Sequence, residues 1–457
     1  MAAANRVPPC VVLLRSVDLE RFSRTRVLGV LRCPSRRAYG CGAHGQKLVE
    51  GLTLLLRLVD YPNLISSLCI RLSDQALQII QEGLGLRRRP ILQIGGSRGI
   101  YARGHVHQAD ESLIALTVVF RFEASELLYH LVYDAVGESL SMAEDLPEHR
   151  ASPLTRKTVP VRRRDGVDLL TVAELVETEF PKQRRRRGQR PDDGVLCVWP
   201  MVPSADPSSS ATDPWQIKKR VFQDDRGKGL FFAHVAFSFQ GHAFWVNLME
   251  GALQCDLRAA GDRPHVDFDF LSLPPGFELE LGGPMELEQV DTTMDLGLVN
   301  MFRTMGSAGD SVKFVSVDHT GDFGDRIVSL WTLQLDCGLG WGWSQDAQFS
   351  VRSIWELEDF KKARLPENLP KCPVVLPDGA LWFLLSNKRM TLEDSMDDHI
   401  CVLDVRSMSI LWSGRLSGFN SSEPAILPSS FIKSLDPLAS SESNLCGSLM
   451  SRVAPSG

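Results

Sequence analysis

Residues Phe231 to Leu257, FFAHVAFSFQGHAFWVNLMEGALQCDL, decide the fold class. Three short runs, AHVAFSF, HAFWVNL and ALQCDL, are filled with β-branched and aromatic residues, which suit a pleated, half-buried surface. Gln240-Gly241 and Glu250-Gly251 separate them, so glycine stands where the chain must reverse. The stretch predicts an antiparallel meander with Phe244 and Trp245 near its middle and Trp245 buried between sheets. It holds no paired carboxylates, no metal ligands at useful spacing and no phosphate loop. Its role is architectural.

The pattern echoes along the chain. Ser112 to Pro147 reads as the strand SLIALTVVFRF and then two more around Gly137, in ELLYHLVYDAVGESLSMAEDLP. HICVLDVRSMSILW, His399 to Trp412, repeats the logic of an apolar strand ending in aspartate, a small turn and another strand. Tyr133-Asp134, Cys255-Asp256 and Leu403-Asp404 are candidate equivalent positions. The aspartate has a local reason to be there, since its short side chain can bond the turn backbone two residues on. Val11 to Leu14, LISSLCIRL, VDFDFLSLP, SVKFVSVD and RIVSLWTLQL add strands, and PVVLPDGALWFLLSN forms a pair around the turn dipeptide Asp378-Gly379. Helical periodicity is scarce, with Ser353 to Lys362 the clearest case. Echoes at irregular spacing predict an all-β, propeller-like fold of antiparallel meanders with few short helices.

Composition bounds the function classes. The chain has 457 residues, 44% hydrophobic and 23% charged, with a formal charge of -6, which predicts no global attraction to nucleic acid. No apolar run approaches the roughly 20 residues of a membrane-spanning helix. The ten cysteines are scattered singly, without a C-x-x-C pair, as buried thiols of a reducing compartment would be. Composition divides the chain into a β-rich part over 1–180, a flexible insertion over 181–214, a second β-rich part over 215–420 and a serine-rich, disordered tail over 421–457. The insertion carries KQRRRRGQRPDDG and VPSADPSSSATDP, both without hydrophobic periodicity.

An ordered series of segments resembles a known family. FWVNLMEGALQCD (Phe244 to Asp256), DFDFLSLP, SVKFVSVD, SLWTLQL and IWELEDFKKARLPENLPKCPVV (Ile354 to Val375) look like the plant, grass-expanded family called domain of unknown function 1618. The amino-terminal segments DYPNLISSLCIRLSD and LLYHLVYDAVGESLSMAEDLP, and ILPSSFIKSL near the end, are similar to it as well. Asn247 stands where the family usually has aspartate. The resemblance implies a β-rich protein whose family domain covers about 244–385, and it supplies no reaction, cofactor or catalytic residue.

Four local patterns invite chemistry. Gly95 to Gly99, GGSRG, fits a nucleophile elbow around Ser97, but the polar IYARGHVHQADES after it lacks the required helix. His105 and His107 alternate closely enough to share a metal, yet no further ligand is evident and exposed loop histidines explain them. Trp341 and Trp343 could stack a ligand or wedge neighbouring blades apart, and the wedge is the simpler reading. Arg184, Arg185, Arg186 and Arg187 form a candidate nuclear import signal, with Arg162 to Arg164 a second basic cluster upstream.

No cofactor, metal or catalytic residue is expected. The sequence reading is a non-catalytic protein-interaction scaffold with an unknown protein partner, and no evidence for an oligomer. The alternative is a hydrolase or carbohydrate-acting enzyme using a central propeller cleft, which needs paired carboxylates near the axis. The expected location is the cytoplasm with a nuclear fraction, with an organelle as the rival because the first forty residues are rich in arginine and serine.

Overall fold

The structure, a computed structural model, describes residues 10–20, 29–57, 65–86, 100–110, 112–146, 151–163, 166–175, 194–201, 215–222, 231–256, 263–278, 299–318, 322–336, 340–385, 398–416, 424–428 and 435–437. These residues are mostly β-strand with few short helices. They build several antiparallel sheets, one of them nearly closed and barrel-like.

The chain begins with β1 (Cys10–Glu20), β2 (Gly29–Leu31), β3 (Ser35–Tyr39), α1 (Gly42–Glu50), β4 (Leu52–Arg57), β5 (Ile65–Leu72) and α2 (Asp74–Gly83). Five four-stranded antiparallel meanders follow. The first holds β6 (Tyr101–Asp110), β7 (Leu113–Phe122), β8 (Ser125–Asp134) and β9 (Ser139–Glu144), and the second β10 (Ala151–Arg162), β11 (Val167–Leu175), β12 (Gly194–Met201) and β13 (Gln216–Phe222). The third is β14 (Val235–Phe239), β15 (His242–Asn247), β16 (Gly251–Asp256) and β17 (His265–Ser272). The fourth is β18 (Arg303–Ala308), β19 (Ser311–Val317), β20 (Ile327–Asp336) and β21 (Gly340–Ser350). Two short helices, α3 (Val351–Trp355) and α4 (Glu358–Lys362), lead to the fifth, β22 (Pro370–Val375), β23 (Leu381–Leu385), β24 (Asp398–Asp404) and β25 (Ser409–Leu416). Finally β26 (Pro424–Pro428) and β27 (Leu435–Pro437) return to the start of the chain.

That return joins late strands to early ones. β26 pairs antiparallel with β1, Val12 opposite Ile426, and β27 pairs with β2. β1 also runs parallel to β5, so one sheet is assembled from both chain ends. The serine-rich tail is therefore not wholly disordered: its short apolar runs gain meaning only from the strands they meet. The insertion over 181–214 needs the same correction. Its middle, VLCVW, belongs to β12, which lies between β11 and β13 with Trp199 fully buried. The arginine- and glycine-rich residues 29–57 yield β2, β3, α1 and β4.

Strand burial explains why so many runs read as continuously apolar. On β15, Ala243 and Trp245 join the core shared with the second meander, while Phe244 and Val246 join the core shared with the fourth. Alternate side chains thus serve opposite neighbours. β7 behaves alike: Ile114, Leu116 and Val118 face the core of the first sheet, and Leu113 and Ala115 face the second meander. Sheets stacked face to face in series produce this pattern.

Turns and caps follow local chemistry. Gln240 and Gly241 both adopt positive φ, 49° and 83°, the geometry of a two-residue hairpin that matches strand twist. Asp134, Asp256 and Asp404 each close the third strand of their meander, and so does Asp336. Asp134 Oδ1 accepts from the Val136 N–H at 2.9 Å, and Asp404 Oδ1 from the Arg406 N–H at 3.0 Å. Asn247 Oδ1 accepts from the Met249 N–H at 3.0 Å, so an amide performs the turn-closing role there. Ser73 caps α2 by accepting from the Ala76 N–H, with Ala76 and Ile80 buried. Ser353 to Lys362 divides between α3 and α4, which bury Ile354 and Phe360.

Gly251 tests the packing of the third meander. A Cβ there would lie 2.5 Å from the Leu271 carbonyl oxygen and 2.6 Å from the Phe270 ring. Gly251→Ala is expected to destabilise by about 1–3 kcal/mol, the usual cost of overpacking. A melting temperature equal to that of the parent would show that β16 and β17 are less close than this.

Candidate functional site

The first strands of the meanders meet in sequence: β6 touches β10, β10 touches β14, β14 touches β18, β18 touches β22, and β26 touches β6. Their ends surround a cavity of about 610 Å³. Every sheet contributes to the wall. Arg15 comes from β1, Gln108 from β6, Arg162 from β10, Phe237 and Ser238 from β14, Thr304 to Ser307 from β18, and Val374 and Val375 from β22. The turns Gln240-Gly241 and Gly309-Asp310 form part of its rim, and Lys313 reaches it from β19.

The described wall holds three cations and one carboxylate. Arg15 is 8% exposed, and its Nη1 donates to the Val106 carbonyl at 3.1 Å and to the His107 carbonyl. Those carbonyls flank a bulge, because the β6–β7 register slips between Val106 and Gln108. β1 slips against β5 between Leu14 and Asp18, which releases Ser16 and Val17 to pair with His105 and Gly104. Bulges re-aim side chains, and here two of them set Arg15 against β6. Arg162 donates to Asp134 Oδ2 at 3.1 Å and to Ser112 Oγ at 2.8 Å. Lys313 Nζ lies 2.8 Å from Asp346 Oδ2 and also bonds Thr332. The fourth charged group, Asp310, sits exposed in its turn.

His105 and His107 lie beside Arg15, and His234 shares Lys157 with them; His107 and His234 are buried and His105 is half-buried. The His105 and His107 rings stand 5.2 Å apart, edge to face, on β6. They are not loop residues. The glycine and charges of YARGHVHQAD imitate a loop, but pairing with β1 and β7 buries the strand. His107 is 5% exposed and bonds Thr117 Oγ1 through Nε2 at 3.0 Å. His234, 4% exposed, accepts the Leu248 N–H at Nδ1, 3.1 Å, which places its own hydrogen on Nε2.

Burial holds these histidines neutral, with help from neighbouring cations. His105 is pushed down to about 3 by burial and then by Arg15, Lys157 and Arg103. His234 is pushed down to about 4 by burial and Lys157. His107 falls well below the ordinary imidazole value by burial, with His105, His130, Lys157 and Arg15 adding to it. Among the described residues no group of three metal-ligating side chains exists, so the two β6 histidines find no further ligand there.

The other sequence candidates separate cleanly. Trp341 packs edge-on to His242 and Phe244, and Trp343 Nε1 donates to the Ser272 carbonyl at 2.8 Å. Both tryptophans wedge the third and fourth meanders. Arg162 of the upstream basic cluster reaches the cavity, whereas Arg163 pairs with Asp168 at 3.1 Å. Arg164, the glycine-rich Gly95 to Gly99 with Ser97, and Arg184, Arg185, Arg186 and Arg187 lie outside the described residues. Of the described cysteines, Cys33, Cys69, Cys197, Cys255 and Cys401 are buried. No helix among the described residues is long and apolar enough to cross a membrane. Sequence reasoning missed Arg15, Lys157, His234 and Lys313; the one local signal was a cation inside the apolar strand CVVLLRSVDLE.

Residues 245–381 match the family described as "Protein of unknown function (DUF1618)", a match running from β15 to the first residue of β23. No curated protein matches the chain. Among solved structures, the extracellular domain of the one component system BT4673 from B. thetaiotaomicron is similar over 69% of this chain, at 8% identity and a TM-score of 0.24. The likeness covers 44% of that chain and is too slight to inform the fold.

Proposed function

We propose that the chain is a non-catalytic interaction scaffold of six-bladed, propeller-like build, gripping a protein partner with the loops around its central cavity. Five four-stranded meanders and a closing sheet drawn from both chain ends support six blades. The observation that carries the reading is the wall itself. Every sheet presents its inner strand there, yet the described lining holds a single carboxylate, Asp310. A glycosidase-type mechanism requires two carboxyl groups on opposite sides of the scissile bond. The rim instead offers short, rigid turns on a stacked-sheet frame, the usual arrangement for recognition.

The test is capture from cell extract with the intact chain and three variants. Gln240→Arg and Asp310→Arg alter the rim, and Gln348→Arg alters the outer strand β21. A specific set of proteins should be held by the parent and Gln348→Arg and depleted by both rim variants. The same set on all four chains would overturn the reading. So would hydrolytic turnover of a glycoside that Asp310→Asn abolishes.

A further inference from the structure

The cavity carries a second, separate inference, which stands whether or not the rim binds a protein. The whole chain has a formal charge of -6, so a generally basic surface does not explain a wall whose described residues set Arg15, Arg162 and Lys313 against the one carboxylate Asp310. The carboxylates that pair with two of these cations sit behind the wall. Asp134, the partner of Arg162, lines a different pocket of about 170 Å³, and Asp346, the partner of Lys313, lines neither. Each carboxylate cancels its cation at long range, but on the cavity side the cationic donors come first. Anchored from behind, these long side chains are already ordered, which removes much of the entropy cost of gripping a ligand.

Donor capacity remains. Lys313 has three N–H groups, of which Thr332 and Asp346 engage two. Lys157 acts electrostatically on His105, His107 and His234, as Arg15 does on the first two. Two polar atoms near Lys157, His107 Nδ1 and His234 Nε2, are buried without a hydrogen-bond partner among the described residues, although neither histidine is part of the described cavity lining. Native interiors satisfy such atoms, so each calls for an ordered water or a bound group within its own reach. Water of low mobility in a partly enclosed site screens poorly, so charge there acts over a longer reach than on open surface. A volume of about 610 Å³ suits a small molecule.

We propose that the central cavity binds a compact small-molecule oxyanion, a phosphate- or carboxylate-bearing compound, with Arg15, Arg162 and Lys313 as its cationic contacts. The full chain is titrated with inorganic phosphate and, separately, with citrate, by calorimetry and by thermal shift, against sodium chloride at matched ionic strength. Saturable binding of at least one is expected, and which one distinguishes the phosphate from the carboxylate source. Arg162→Gln and Lys313→Gln should each weaken it at least tenfold. Asp310→Asn, an exposed turn change that leaves folding intact, should tighten it severalfold by removing the one described carboxylate of the wall. Absence of saturable binding beyond the chloride control overturns the proposal, as does binding that none of the three variants changes.

Discussion

Lowering the pH from about 6.5 to 4.5 is expected to remove about 4–8 kcal/mol of stability and to bring the melting temperature down by on the order of 10 °C. Three histidines drive this. The ordinary imidazole value is 6.5, whereas folded His105 lies at about 3, His234 at about 4 and His107 well below 6.5. Between those limits the unfolded chain takes up protons that the folded chain refuses. Stability therefore rises with pH in this window and is lost as pH falls, at about 1.4 kcal/mol per pH unit for each histidine.

Burial is the main reason these rings refuse protons, and the charged groups facing them add to it. Arg15 from β1, Arg103 on β6 and Lys157 on β10 are cations, and His130 on β8 adds a further neighbour. Glu144 and Glu250, held above the usual carboxylate range by burial, take up protons in the folded state and offset part of the loss. Melting followed by circular dichroism from pH 8 to 4.5 measures the slope. His234→Gln, whose side-chain oxygen can still accept the Leu248 N–H, should flatten it by about a third. A melting temperature constant to a degree or two between pH 6.5 and 5 would mean these rings are solvated and the site is open.

The strands of the centre were legible because each obeys a local rule. Gln240-Gly241 and Asp378-Gly379 mark hairpins whose backbone needs positive φ, and the observed values of 83° at Gly241 and 87° at Gly379 agree. The aspartate echo was legible for the same reason, as the turn bonds of Asp134 and Asp404 involve residues two positions apart. β10, β26 and β27 were not legible. ASPLTRKTVPVR carries two prolines and three cations, and β27 has three residues, so only their partners make them strands. The site was hidden more deeply. Arg15, Arg162 and Lys313 come from three sheets far apart in sequence, and no spacing rule joins residues that only the packing of those sheets around one cavity brings together. His105 and His107 could be paired by spacing alone, but their burial depends on a strand some ninety residues earlier.

Trp245→Ala is expected to cost about 3–5 kcal/mol, the range for truncating a large buried aromatic. The indole is fully buried in the core between the second and third meanders. Its ring centroid lies 6.0 Å from that of Phe268, and its neighbours across the sheet are Ala236 and Leu253. Alanine and leucine cannot collapse into the vacated volume without moving β14 and β16, so a cavity should persist. The indole also does something Phe244 beside it does not. Its Nε1 donates to the Lys157 carbonyl at 3.4 Å, a long bond that reaches from β15 to β10. β10 is irregular there, since its register against β11 slips between Pro153 and Thr158. Trp245 thus braces the stretch that presents Lys157 to the buried histidines. Trp245→Phe keeps most of the apolar volume and loses the bond, so it should cost less than half as much as alanine by chemical denaturation. Its effect on the pH slope should nonetheless be visible, because Lys157 is one cause of the low histidine values. An alanine variant melting within a degree or two of the parent would place the ring at the surface and remove this brace.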